Sequence, residues 1–144
     1  MKFWDSSAVV PLLVPEVMSG SMQRLYADDP VMVAWWATEG ECTSAIARRQ
    51  RVGQLPEDIA AEGFVRLNAL RAGWHEVEPG EELREAAKRL LRVHDLRSAD
   101  ALQLAAAAFV AEARPSTLEF VSLDDRLLAA ARREGFATTK PAAP

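Results

Sequence analysis

Four acidic side chains, Asp5, Glu41, Asp100 and Asp124, are the residues of this sequence whose type and position point to shared chemistry. Carboxylates gathered in one pocket raise one another's pKa unless a cation compensates them, so a convergent set calls for a divalent ion. The remaining composition narrows which ion. Cys42 is the single cysteine, which excludes an internal disulfide and a cysteine-based zinc site, and the two histidines, His75 and His94, lack ligand spacing. Any metal would be held by carboxylate oxygen, which selects Mg²⁺ or Mn²⁺ over zinc or copper.

Each acid also has an ordinary explanation. Asp5 and Asp124 are placed to cap the helices that follow them, Asp100 to sit as a favourable first-turn charge, and Glu41 to be a solvated helix residue. The four gain weight jointly, because each stands at a strand end or early in a helix. Asp5, Asp100 and Asp124 also have serines close by (Ser6 and Ser7, Ser98, Ser122) that would orient a carboxylate or a bound water. Two positions stay open on spacing alone: Glu39 competes with Glu41, and Asp125 with Asp124.

The elements that would position these acids follow from hydrophobic periodicity. Residues 2–4 read as a short buried strand ending at Asp5, with a helix over about 8–13, a second from Pro15–Glu16 to Tyr26, and a strand over 31–36. Cys42, Ala45 and Ile46 recur at helical spacing from Thr38 to Val52, where Gly53 supplies the stop; Pro56 opens a helix ending at Gly73. A strand over 74–77, an amphipathic helix over 81–94 and an apolar helix over 99–112 come next. The chain closes with a strand over 119–122, a helix from Asp125 to Glu134 and an edge strand over 136–138. Strands alternating with helices imply an α/β fold, a three-layer α/β/α arrangement around a mainly parallel sheet. In such sheets ligands bind beyond the carboxyl ends of the strands, where Asp5 and Asp124 fall in this reading.

The 144 residues, 49% hydrophobic and 26% charged, suit one domain with a real core, expected over 1–138, with a loose Pro/Ala tail over 139–144. An acid at position 5 breaks the apolar stretch a leader would need, and no run of about 18 apolar residues occurs, so a cytoplasmic protein with no membrane contact is expected. The net charge of −4 argues weakly against nucleic-acid binding through overall positive charge. Arginines nevertheless cluster at Arg48, Arg49 and Arg51, at Arg89 and Arg92, and at Arg132 and Arg133, so local basic patches can coexist with an acidic pocket.

Four segments carry a resemblance: Phe3-Trp4-Asp5-Ser6-Ser7-Ala8, Glu41-Cys42-Thr43-Ser44-Ala45-Ile46-Ala47-Arg48, Leu96-Arg97-Ser98-Ala99-Asp100-Ala101-Leu102-Gln103-Leu104-Ala105, and Phe120-Val121-Ser122-Leu123-Asp124-Asp125-Arg126-Leu127. In this order and at this chain length, they resemble the PIN-domain ribonucleases, and within them the VapC-type toxins of toxin–antitoxin pairs. The resemblance implies that Asp5, Glu41, Asp100 and Asp124 form an acidic quartet binding Mg²⁺ or Mn²⁺, with Ser6 as the hydroxyl beside the first acid. It favours Glu41 over Glu39. Where the family often has threonine two residues before the fourth acid, this chain has Ser122.

What the resemblance further implies is an RNA substrate hydrolysed by activated water, leaving 5′-phosphate and 3′-hydroxyl ends. It also implies a homodimer and a cognate antitoxin protein that blocks the pocket. The competing expectation is a non-catalytic module of the same fold, acting through partner contact alone, in which the acids serve as caps. An aspartyl phosphotransfer enzyme is disfavoured because the residue two after the first acid is Ser7.

Overall fold

The computed structural model describes residues 1–144. Five strands, β1 (Lys2–Trp4), β2 (Met32–Trp35), β3 (His75–Val77), β4 (Glu119–Val121) and β5 (Ala137–Thr139), form one sheet in the order β3-β2-β1-β4-β5. Every pairing is parallel. The helices are α1 (Ser6–Leu13), α2 (Ser19–Asp28), α3 (Thr38–Arg51), α4 (Glu57–Gly73), α5 (Glu81–Val93), α6 (Ser98–Val110) and α7 (Asp125–Arg133).

A parallel sheet is covered on both faces, so its strands are apolar without a polar alternate. The pleat then sends neighbours into different cores. Phe3, Val33, Trp35 and Phe120 point into a cluster built with α5, α6 and α7, whereas Trp4, Met32, Ala34 and Val121 point into one built with α1 to α4. Phe3 stacks on Phe120 with ring centroids 5.3 Å apart, and Phe120 meets Phe136 at 5.9 Å, which locks β1, β4 and the approach to β5 together. The result is the α/β/α sandwich expected from the order of elements.

β1 lies at the centre, and the chain winds outward on one side through β2 and β3, then returns to the other side through β4 and β5. The crevice at this reversal opens beyond the carboxyl ends of β1 and β4. Asp5 and Asp124 follow those two strands by one and three residues.

Several boundaries differ from the sequence reading, each for a local reason. α2 begins at Ser19, because the Ser19 hydroxyl accepts from the Glu16 amide at 2.8 Å and donates to the Val14 carbonyl at 3.1 Å, closing a turn where a helix start was expected. Gly53 and Gly135 do end α3 and α7, with φ of 80° and 97°. Gly73 instead remains in the last turn of α4, which stops at Trp74. After α6 the left-handed turn falls on Glu112 and Ala113, with no glycine to announce it, and a short 3₁₀ turn over Pro115–Thr117 leads into β4. β5 runs through Thr139, past the expected end of the domain at 138: Thr139 pairs with Val121, and its carbonyl accepts from the Ser122 amide. Beyond it Lys140 pairs with Asp125 at 2.8 Å, and the Ser21 hydroxyl reaches the Ala142 carbonyl. The loose tail expected from 139 is thus tied to the domain through 142.

Gly63 marks where α4 packs most closely. A methyl group there would stand 2.7 Å from Val14 Cγ1 and 3.3 Å from Ile46 Cδ1, both on buried side chains. Gly63→Ala is expected to destabilise the fold by ~1 kcal/mol, overpacking of about 1–3 kcal/mol being partly offset by about 1 kcal/mol of helix propensity. Urea unfolding monitored by circular dichroism checks this; a stabilised variant would show that the α1–α4 contact is slack.

Candidate acidic site

Asp5 is 3% exposed, an unusual burial for a lone carboxylate. It occupies the N-cap position of α1, yet its side chain makes no cap bond. Instead Oδ2 accepts from the Ser7 hydroxyl at 2.5 Å and from the Ser122 hydroxyl at 2.8 Å. Each serine is itself held by a backbone donor: the Leu123 amide donates to Ser7 Oγ at 2.9 Å, and the Asp124 amide to Ser122 Oγ at 3.0 Å. The main chain after β4 therefore polarises two hydroxyls toward one oxygen of Asp5. The other oxygen, Oδ1, has only Ser6 at 3.5 Å, too long for a strong bond.

Ser6 directs its hydroxyl to Glu41 Oε2 at 2.7 Å, and Gln103 Nε2 donates to the same oxygen at 3.1 Å. Gln103 is fully buried and also donates to the Thr38 hydroxyl at 3.1 Å, so one amide on α6 spans two positions on α3. Glu41 Oε1 has no protein partner among these bonds. Glu39, the alternative by spacing, is drawn away by Arg71 at 3.2 Å, which also pairs with Glu76 at 3.1 Å.

Asp100 lies in the first turn of α6 and Asp124 at the N-cap of α7. Asp124 fulfils the ordinary reading in part: Oδ1 accepts from the Arg126 and Leu127 amides at 2.9 and 3.1 Å, leaving Oδ2 uncommitted. Asp125 turns outward to Lys140. Asp100 and Asp124 line a cleft of ~580 Å³ together with Arg97 and Arg126.

The electrostatics tie the four acids together. Burial pushes the Asp5 carboxyl upward, opposed by the Ser7 and Ser122 hydroxyls and reinforced by the Asp124 charge. Glu41 is raised first by burial, with Asp5 and Asp100 adding to the effect against Ser6 and Gln103. Asp100 is raised by burial and then by Asp124 and Asp5, with the Arg97 amide and the Arg97 charge opposing them. No lysine, arginine or histidine stands within ion-pair distance of any of the four.

The carboxyl groups feel one another, yet no group of three or more Asp, Glu, His or Cys side chains is closed into metal-ligating geometry. Both statements hold because Coulombic coupling reaches several ångströms farther than a ligand bond of about 2.0–2.6 Å.

The sequence reading placed serines beside these acids but misjudged one of them. Ser98 is exposed and bonds to none of the four, because it begins α6 on its outer side; Ser7 works on Asp5 alongside Ser122. Gln103 and Thr38 were missed. The available signal was a glutamine inside the most apolar helix of the chain, where a polar side chain needs a buried partner. Cys42, next to Glu41, points into the α1–α4 core, where burial pushes its thiol far up and makes it a packing residue.

Gln103→Leu keeps the volume but removes the amide, stranding the Thr38 hydroxyl and one Glu41 bond. Because Gln103 Oε1 is buried without a partner, its removal offsets part of that cost, and the expected loss is about 1 kcal/mol of stability, read by urea unfolding. A variant as stable as the parent would show that the α3–α6 polar tie is idle.

No protein-family model matches the chain, and no curated protein matches its sequence. Solved structures do match. VapC20 of Mycobacterium tuberculosis, described as a sarcin-ricin loop cleaving toxin, superposes with a TM-score of 0.71 at 21% identity, covering 98% of this chain and 100% of that one. The PAE2754 protein of Pyrobaculum aerophilum gives 0.63 at 22% identity, over 90% of this chain and 78% of that one. FitAcB of Neisseria gonorrhoeae gives 0.63 at 15% identity, over 97% of each. The chain has the PIN-like α/β/α fold of these proteins.

Proposed function

We propose that the chain is a divalent-metal-dependent ribonuclease of the VapC type, the toxin of a toxin–antitoxin pair, with Asp5, Glu41, Asp100 and Asp124 as its acidic site. The observation that carries this reading is one buried and three half-buried carboxylates at the switch point of the sheet, three of them raised by burial and by one another's charge, and none in an ion pair with a protein cation. The likeness in fold to a toxin that cleaves the sarcin-ricin loop supports it.

The donor set fits a hard cation. Every available atom is a carboxylate or hydroxyl oxygen, and Asp5 Oδ1, Glu41 Oε1 and Asp124 Oδ2 are left without strong partners. Asp5, Asp100 and Asp124 would hold Mg²⁺ or Mn²⁺, with Glu41 beside them. Asp100 sits in the first turn of α6 and accepts no side-chain hydrogen bond. Such an ion supplies an acidified water and a counter-charge for the phosphate under attack.

The protein's own part is positional. Ser7 and Ser122 fix Asp5 in one rotamer; Ser6 and Gln103 hold Glu41 by one oxygen, leaving the other to accept a proton from the attacking water. Burial that raises the Glu41 pKa makes it a better acceptor. Attack by water does not use the RNA 2′-hydroxyl, so no 2′,3′-cyclic phosphate forms; with the 3′-oxygen as leaving group, as the family likeness implies, the P–O3′ bond breaks and the products carry 5′-phosphate and 3′-hydroxyl ends. An antitoxin, a homodimeric assembly and a cytoplasmic setting belong to the same proposal; no helix is long and apolar enough to cross a membrane.

The rival reading, a non-catalytic module, draws on Asp124 acting as a true cap. Linkage separates the two. Asp5, Glu41 and Asp100 each bind a proton more tightly folded than unfolded, so without metal the fold loses stability as pH rises through their raised pKa values toward neutrality. Asp5→Asn and Asp100→Asn are expected to keep or raise the metal-free melting temperature while lowering Mn²⁺-dependent RNA cleavage by at least about a hundredfold. Mn²⁺ should raise the melting temperature of the wild type and much less that of either variant. Metal-independent stability together with no cleavage of a cellular RNA pool would favour the module, and a 2′,3′-cyclic phosphate product would overturn the mechanism.

A further inference from the structure

Glu41 does not line the cleft of Asp100 and Asp124; it borders a second, larger one of ~730 Å³, which also includes Trp36, Ser44, Arg48 and Arg71. Trp36 follows β2 directly and is 53% exposed, whereas Trp35 before it is 4% exposed. Its backbone is not loose: the Trp36 amide donates to the Val77 carbonyl at 3.0 Å, continuing the β2–β3 ladder. An indole ring is thus presented to solvent from a fixed point on the same sheet edge as the acids.

Along α3, Glu41, Ser44 and Arg48 fall on one face, three and then four residues apart, and seven residues of helix span roughly 10 Å. Arg48 is exposed and pairs with no carboxylate, while Arg71 is committed to Glu39 and Glu76. The charged residues of the cleft are three glutamates, Glu39, Glu41 and Glu76, against two arginines, Arg48 and Arg71. That balance does not attract phosphate. An aromatic face with one free guanidinium suits a flat, uncharged group, and nucleobases stack on both.

We propose that Trp36 is the stacking site for an unpaired base of a single-stranded RNA segment whose neighbouring phosphate lies over the acids, with Arg48 farther along the same cleft. This rests on the ribonuclease reading above. It identifies the preferred substrate as a strand with a base turned out of its stack, and Trp36 as a substrate-binding residue that takes no part in the hydrolysis.

Trp36 is its own probe, because Trp4, Trp35 and Trp74 are only 0, 4 and 7% exposed. The quencher-accessible tryptophan fluorescence of the full chain is titrated in Ca²⁺ with a short single-stranded oligoribonucleotide, and with an abasic ribose-phosphate strand of equal length. The base-bearing strand is expected to quench it and the abasic strand to leave it unchanged. Trp36→Ala should weaken binding of the labelled oligoribonucleotide about tenfold by anisotropy, with Trp36→Phe restoring most of it. In Mn²⁺, the same loss should enter KM for cleavage and leave kcat within about twofold.

Equal quenching by the abasic strand, or wild-type affinity in Trp36→Ala, would overturn the stacking site and leave the nuclease standing. Protection of Trp36 by an arginine-containing peptide, with none from the oligoribonucleotide, would likewise overturn it in favour of a protein partner. Binding is read apart from cleavage, so a wild-type chain that stacks the strand without cutting it would sink the ribonuclease reading alone.

Discussion

One carboxylate organises this molecule. Asp5 is buried at the head of the central strand, and a buried carboxylate is tolerated only if its oxygens are satisfied. Here the satisfaction comes from across the sheet. The amides of Leu123 and Asp124 orient Ser7 and Ser122, and both hydroxyls converge on a single oxygen. The bond therefore does two things at once: it fastens the end of β1 to the loop after β4, and it leaves the second oxygen of Asp5 open toward Glu41. Glu41 is held in the same manner, by Ser6 and by Gln103 from α6.

Holding acids in this way sets stability against function. Charges that raise one another's pKa disfavour the fold near neutral pH, and the surrounding packing has to carry that cost. Two cores flank the sheet, one with Trp4 and one with Phe3 and Phe120 at its centre, and the aromatic rings of the latter stack directly beneath the strands that end at the acids. The strain falls on side chains while the strands stay regular. Polar side chains hold Asp5 and Glu41 by one oxygen each, and backbone amides hold Asp124 by one of its two.

Much of this was legible in the sequence because the signals were local. Alternating strands and helices, each with its own apolar period, gave the parallel α/β/α layout, and Gly53 and Gly135 marked real helix ends. Asp5 and Asp124 were readable as strand-end acids for the same reason. Local pattern failed where a side chain's partner was distant or its direction undefined. Ser98 and Ser7 look alike beside an aspartate, but only Ser7 faces inward. Gln103 meets Thr38 and Glu41 across more than 60 residues, a contact that no spacing rule contains. The start of α2 was lost to a serine side chain competing with the backbone, and the left-handed turn at Glu112 and Ala113 to the absence of a glycine. Glu39 and Glu41 were parted by Arg71, on another helix.

The register of the sheet has an implication for how the chain comes into being. Lys2 pairs with Glu119 and Trp4 with Val121, so β1 completes its neighbours only once β4, far along the chain, has followed it. Non-local parallel pairing of this kind forms late. Asp5 and Asp124 therefore remain strangers throughout most of translation, and a nascent chain carries the acids without the arrangement the fold gives them. Under the proposed ribonuclease reading, the activity is absent from the growing chain until β4 has joined β1.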